Sequence, residues 1–162
     1  MSDLSRVTVW ANALIRMHLD DTWSFAFDNA KRRAGLCDFS RKRISVSRYI
    51  SARNDDDEVH QTLLHEVAHA LAGPGAGHGR QWKRIAREIG YVGGTLHYGD
   101  TPTELAPWVG TCPSGHTIYR YRRPSRPSSC PRCSPRFDRR FEFTWFKREI
   151  TPATRRLASA PR

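Results

Sequence analysis

Residues 55–90 read Asp55-Asp56-Asp57-Glu58-Val59-His60-Gln61-Thr62-Leu63-Leu64-His65-Glu66-Val67-Ala68-His69-Ala70-Leu71-Ala72-Gly73-Pro74-Gly75-Ala76-Gly77-His78-Gly79-Arg80-Gln81-Trp82-Lys83-Arg84-Ile85-Ala86-Arg87-Glu88-Ile89-Gly90. The acidic cluster at its head suits the positive end of a helix dipole. Gly73-Pro74 is a stop signal, so a helix is predicted between the two. Val59, Leu63, Val67, Ala70 and Leu71 are expected to form its buried stripe. A glycine-rich loop follows, and a further helix should begin at Gly79 or Arg80. Trp82, Ile85, Ala86 and Ile89 share one face of that helix, which should end at Gly90.

Within the first helix, His65-Glu66-Val67-Ala68-His69 has the H-E-x-x-H pattern. Histidines four apart lie one turn apart on the same helix face, so both imidazoles can reach one ion. The expected face is opposite the apolar stripe. Glu66 projects to the side, where it can act as general base without entering the coordination sphere. A catalytic zinc wants three protein ligands and one open position. His78, delivered by the flexible loop, is the third ligand expected, and His97 is the nearest candidate to close the site. Tyr91, His97 and Tyr98 are candidates for stabilising an oxyanion. His60 is expected on another face, at the surface, and His18 on a helix face without a role.

Upstream, Val7, Ala11, Leu14, Ile15 and His18 keep helical spacing, with Ser5 as the expected cap and an end near Asp20. Trp23, Phe25 and Phe27 alternate with small residues and predict a strand. Residues 34–37 and 44–46 predict two more, joined by short polar connections as an antiparallel meander. Residues 91–107 carry no clear periodicity.

The last third differs in kind. Of four cysteines, Cys112, Cys130 and Cys133 fall there, while Cys37 sits alone in a predicted strand. Cys112-Pro113-Ser114-Gly115-His116 and Cys130-Pro131-Arg132-Cys133 are two half-sites, C-x3-H and C-x2-C, as a closed tetrahedral zinc site requires. His116 is the less firm member, since a strand-edge position is its alternative. Short aromatic strands (residues 117–121 and 141–146) alternate with Pro/Ser/Arg turns. A module this small should depend on its metal to fold.

The 162 residues carry a formal charge of +11, of which residues 1–111 contribute +1 and residues 112–162 contribute +10. Such asymmetry points to an anionic partner, nucleic acid before others. Arg120-Tyr121-Arg122-Arg123-Pro124-Ser125-Arg126 interleaves arginine with tyrosine. Tyr119 and Tyr121 could stack on unpaired bases, although packing within the ribbon is the plainer use for each. No apolar run is long enough to span a membrane, and residues 1–20 lack an export pattern. Cytoplasmic, nucleoid- or DNA-associated location and monomeric state are therefore expected.

The HEVAHA run, the glycine-rich loop and His78-Gly79-Arg80-Gln81-Trp82 together resemble the SprT-like family, which includes the Spartan proteases. The family's H-G-x-x-W segment is matched residue for residue. The upstream segments Trp23-Ser24-Phe25-Ala26-Phe27, Gly35-Leu36-Cys37 and Lys42-Arg43-Ile44-Ser45-Val46-Ser47 also fit, as does a cysteine module at the end, so the resemblance covers about residues 5–150. It implies a zinc-dependent peptidase, directed in the best-studied members at proteins crosslinked to DNA. In that reading Trp82 packs behind His78. Many members of the family place a second cysteine near the first of the ribbon, and here no other cysteine exists to complete the set.

Together these features predict an α+β chain: a zincin-like metallopeptidase domain of three helices and an antiparallel three-stranded sheet (1–106), a small basic β zinc ribbon (107–150) and a disordered tail (151–162). Two zinc ions are expected, a catalytic one on His65, His69 and His78 and a structural one on Cys112, His116, Cys130 and Cys133. Protein substrates and DNA, single strands included, are the expected partners. Two alternatives are a DNA-binding zinc protein without activity and a zinc hydrolase acting on a different polymer.

Overall fold

The computed structural model describes residues 2–94 and 102–159, and the chain divides into two compact units, one reaching Thr101 and one spanning Pro102–Ala158. The second of these compact units begins at Pro102. Leu105 and Ala106, both fully buried, count with it. No helix among the described residues is long and apolar enough to cross a membrane.

The first unit opens with α1, Leu4–His18, capped by Asp3 rather than Ser5: the Asp3 carboxylate accepts from the Ser5 and Arg6 amides. Val7, Ala11, Leu14 and Ile15 are its buried face, as the spacing predicts. Three strands follow, β1 (Ser24–Asp28), β2 (Gly35–Asp38) and β3 (Arg43–Ser47). Their order in the sheet is β1-β3-β2, with β2 antiparallel to β3 and β1 parallel to it.

The expected antiparallel meander is therefore corrected to a mixed sheet. The cause is visible in β3, where Ile44, Ser45, Val46 and Ser47 are all buried. A strand shielded on both faces belongs at the centre. Its serines are satisfied: Ser45 Oγ donates to Asp28 Oδ2 at 2.8 Å, and Ser47 Oγ donates to the Ala30 carbonyl at 2.5 Å. The Ser47 amide also donates to the Ala34 carbonyl at 2.7 Å. The segment between β1 and β2 is thereby tied to the end of β3, which lets β1 take the far side of it.

A single turn, α2 (Arg48–Ser51), leads to α3 (Asp56–Ala72). Asp55 caps α3 by accepting from the Glu58 amide at 2.8 Å, and Gly73, at φ 86°, ends it. This helix packs against α1, α4, β2 and β3. It is buried over most of its circumference, with Leu64, His65, Glu66, Ala68 and Ala72 inside as well as Val59, Leu63 and Val67. Leu71 is exposed and Ala70 only half-buried, so the stripe is placed differently from the expectation. The histidines do not face away from the packed interior. α4 (Arg80–Glu88) follows the glycine loop and buries Trp82 and Ala86. His60 is half-buried, edge-on to Trp10.

The second unit is a three-stranded antiparallel sheet in the order β5-β4-β6, made of β4 (Trp108–Thr111), β5 (Thr117–Arg120) and β6 (Thr144–Lys147). Cys112, Cys130 and Phe143 form its small core, with Ile118, Cys133, Phe141 and Trp145 packed against them. Gly110 sits opposite Trp145, where a Cβ would meet the indole at 2.9 Å. Pro152–Ser159 forms α5, in a stretch expected to be frayed.

Candidate active site and metal centres

His65, His69 and His78 come together through two features of the backbone. The helical repeat of α3 brings the first pair side by side. The loop then reverses direction through Gly73, Gly75 and Gly77, all at positive φ, and returns His78 to the same point. The three Nε2 atoms form a nearly equilateral triangle: 3.2 Å for His69 to His65, 3.1 Å for His69 to His78 and 3.0 Å for His78 to His65. With Zn–N bonds of about 2.0–2.1 Å, tetrahedral geometry sets ligand nitrogens about 3.3 Å apart. The triad fits that requirement.

Trp82 is the wall common to all three ligands, with ring centroids 4.7 Å from His65, 5.3 Å from His69 and 4.6 Å from His78. Burial, and then the neighbouring His78, hold His69 below the usual imidazole range. That favours the neutral form, which is the form able to ligate. No fourth His, Cys, Asp or Glu joins the triad among the described residues. His97 and Tyr98 lie outside them.

Glu66 is buried at 7 % exposure and lies against β2. A Cβ on Gly35 would stand 2.6 Å from Oε1 and 2.7 Å from Cγ, so the strand leaves that space to the carboxyl group. Burial pushes the Glu66 carboxyl up to about 8, while the Arg33 charge and a hydrogen bond from the Cys37 backbone amide pull the other way. Cys37 is thus a neighbour of the site through its main chain. Its own thiol is pushed up to about 12, by burial first and then by the Glu66 and Asp38 charges.

Tyr91, one of the oxyanion candidates, is engaged elsewhere in this arrangement. Its hydroxyl lies 3.3 Å from His65 Nδ1 and donates its proton to the Gly94 carbonyl. The hydroxyl therefore stands at the ring nitrogen turned away from the triad.

The other cluster forms in the second unit. The Cys112 amide donates to the His116 carbonyl at 3.0 Å, and the Gly115 amide to the Cys112 carbonyl at 2.9 Å, with Gly115 at φ 81°. The Cys133 and Ser134 amides both donate to the Cys130 carbonyl, closing the second knuckle. His116 enters through Nδ1, which is 3.6 Å from both Cys112 Sγ and Cys130 Sγ and 3.3 Å from Cys133 Sγ. Cys112 Sγ and Cys133 Sγ are 3.9 Å apart. With Zn–S bonds of about 2.3 Å, a tetrahedron sets sulfurs about 3.8 Å apart and sulfur from nitrogen about 3.6 Å apart. All four positions are supplied, as in a structural site, whereas the histidine triad supplies three.

Residues 4–104 match the SprT-like family. The chain belongs to it. No curated protein and no solved structure gives a significant match. Membership in the SprT-like family and the H-E-x-x-H spacing are those of a zinc-dependent metalloprotease, with one catalytic and one structural zinc site. The SprT-like match ends ahead of the ribbon cysteines, so the second cluster rests on its own geometry.

Sequence reasoning names Tyr91 for an oxyanion and misses its contact with His65, and it misses Gly35 and the Cys37 amide as neighbours of Glu66. The pair Gly93-Gly94, two residues after Tyr91, is the local sign that the backbone there comes close to a side chain.

Proposed function

We propose that this SprT-like chain is an intracellular endopeptidase that cleaves proteins bound or crosslinked to DNA, with Glu66 as general base. The observation that carries the catalytic part is the triangle of three Nε2 atoms beside a buried carboxyl group whose affinity for protons lies near neutrality. His65, His69 and His78 would hold the ion. Zinc, when bound, lowers the pKa of water to about 7 and polarises the substrate carbonyl.

The protein's own part is proton handling. Glu66 takes the proton from the attacking water and returns it to the departing amine nitrogen, so one carboxyl group serves as base and then acid. Its enclosed setting raises its affinity for protons above that of an exposed carboxylate, which suits a group that takes a proton and gives it back. One chain supplies every one of these groups, which supports a monomeric enzyme.

The DNA part is supported by charge and by an exposed face of the ribbon (residues 107–150 by sequence). Residues 112–162 carry the net excess of +10. Tyr119 and Phe146, 38 % and 59 % exposed, pair with Val109 from either side and so share one face of that sheet. The Arg148 guanidinium lies 5.1 Å from the Tyr119 ring centroid. Rings beside arginines suit unpaired bases and their phosphates, so single-stranded DNA is the form assigned. Tyr121 is used differently: its hydroxyl donates to the Pro102 carbonyl at 2.8 Å.

The test is cleavage of a DNA-bound protein by wild type and Glu66→Gln, with zinc measured in both. Wild type should cut, faster with single-stranded DNA and less at higher salt. Glu66→Gln should keep both ions and lose activity. An equally active Glu66→Gln enzyme would refute the assigned base. Cleavage indifferent to DNA would refute the recruitment.

A further inference from the structure

The hydrogen bonds around Tyr91 have a direction. A tyrosine hydroxyl owns one proton, and that of Tyr91 goes to the Gly94 carbonyl. Towards His65 Nδ1, 3.3 Å away, the oxygen can then only accept. Nδ1 must therefore carry the ring hydrogen, which leaves the lone pair of His65 on Nε2. That is the nitrogen standing 3.2 Å from His69 Nε2 and 3.0 Å from His78 Nε2.

The turn that holds the hydroxyl is clipped to both neighbouring helices. The Tyr91 amide donates to the Ala86 carbonyl of α4 at 2.8 Å, and the Val92 amide donates to Gln61 Oε1 of α3 at 2.9 Å. Gly90, at φ 92°, makes the exit from α4. Gly93 leaves room for the ring: a Cβ there would stand 2.5 Å from the Tyr91 hydroxyl oxygen and 2.7 Å from Cζ. The ring itself is buried, 5.4 Å from His65 and 5.7 Å from Trp82 between centroids.

From this geometry we infer that Tyr91 is a positioning residue: the turn 91–94 orients His65 and selects its Nδ1-protonated tautomer before any ion arrives. Outer partners of this kind settle which nitrogen of a histidine ligates and strengthen it as a ligand. The three histidines are not equivalent, because His65 alone has this brace among the contacts described for the triad, while His78 is exposed. The inference rests on the metal reading of the triad and does not need the chain to be a peptidase.

Two equilibrium measurements on the full chain test it. The first reads the ring nitrogens of His65 by ¹⁵N NMR, with the triad emptied by a chelator and the ribbon zinc retained. The wild type should show His65 protonated at Nδ1, and Tyr91→Phe should show a mixture of tautomers. The second is zinc affinity at the triad, measured by competition with a chromophoric chelator. Tyr91→Phe keeps the ring and should bind zinc about 10–100-fold more weakly, with ribbon zinc unchanged.

His65 protonated at Nε2 in the wild type would overturn the inference, and so would wild-type zinc affinity in Tyr91→Phe. If Tyr91→Phe failed to fold, the wild-type spectrum alone would decide. A chain that binds zinc with these properties but cuts nothing would sink the peptidase proposal and leave this one standing.

Discussion

Gly35 and Glu66 are in such close approach that a Cβ on the first would lie 2.6 Å from the carboxylate oxygen of the second. The opening residue of β2 thereby decides where the carboxyl group of α3 can rest. Gly35→Ala should push Glu66 off its position without touching a histidine. A displacement of about 1 Å at such a group costs on the order of 10²-fold in rate. We expect kcat/KM to fall by that factor while zinc content stays at two per chain. Unchanged kinetics would mean that Glu66 acts from some other position.

Trp82 backs all three ligands, so its removal should be felt by the whole triad. Trp82→Ala empties a site that is 2 % exposed and should cost about 3–5 kcal/mol of stability. The indole Nε1–H has no hydrogen-bond partner among the described residues, so Trp82→Phe loses packing volume and none of the bonds described. Chemical denaturation should therefore rank wild type above Phe and Phe well above Ala, with weaker zinc binding at the triad in the Ala variant.

The ribbon should behave as a separate metal-dependent unit. Cys133→Ser removes one of four ligands and should release that zinc and unfold residues around it, while the histidine triad keeps its own ion. Metal analysis would give one zinc per chain, and affinity for single-stranded DNA would drop. Loss of both ions together would show the two units to be coupled.

Cys37 offers a contrast in reactivity. With its thiol pushed up to about 12 by burial and by the Glu66 and Asp38 charges, almost none is thiolate at pH 8. The thiolate is the reactive form, so a raised value means slower alkylation. Iodoacetamide should spare all four cysteines in the zinc-loaded protein and modify Cys112, Cys130 and Cys133 after chelation, still sparing Cys37. Mass spectrometry of the digest would read this directly, and prompt labelling of Cys37 would contradict the enclosed setting described for β2.

Much of α3 is legible in the sequence because its signals are local. Asp55 and Gly73 mark the ends, and His65 and His69 follow from the helical repeat. His78 and the ribbon half-sites are legible because knuckles and glycine loops declare themselves by residue type. The sheet order is not, since β1 beside β3 depends on which strand is shielded on both faces, a property of the packed molecule. The same limit hides the burial of His65: an apolar stripe shows one packed face of a helix, and α3 has several. Tyr91 is legible as a hydroxyl near the site but its partner is not, because it lies in a stretch without periodicity, where only folding brings a hydroxyl to an imidazole.

Accessibility across the triad is graded, with His65 buried, His69 intermediate and His78 exposed on its glycine loop. The outermost of the three imidazoles is therefore the one placed by glycines at positive φ, while a helix places the other two. Gly75→Ala or Gly77→Ala would strain that loop, and the loss should fall on His78 while His65 and His69 keep their spacing.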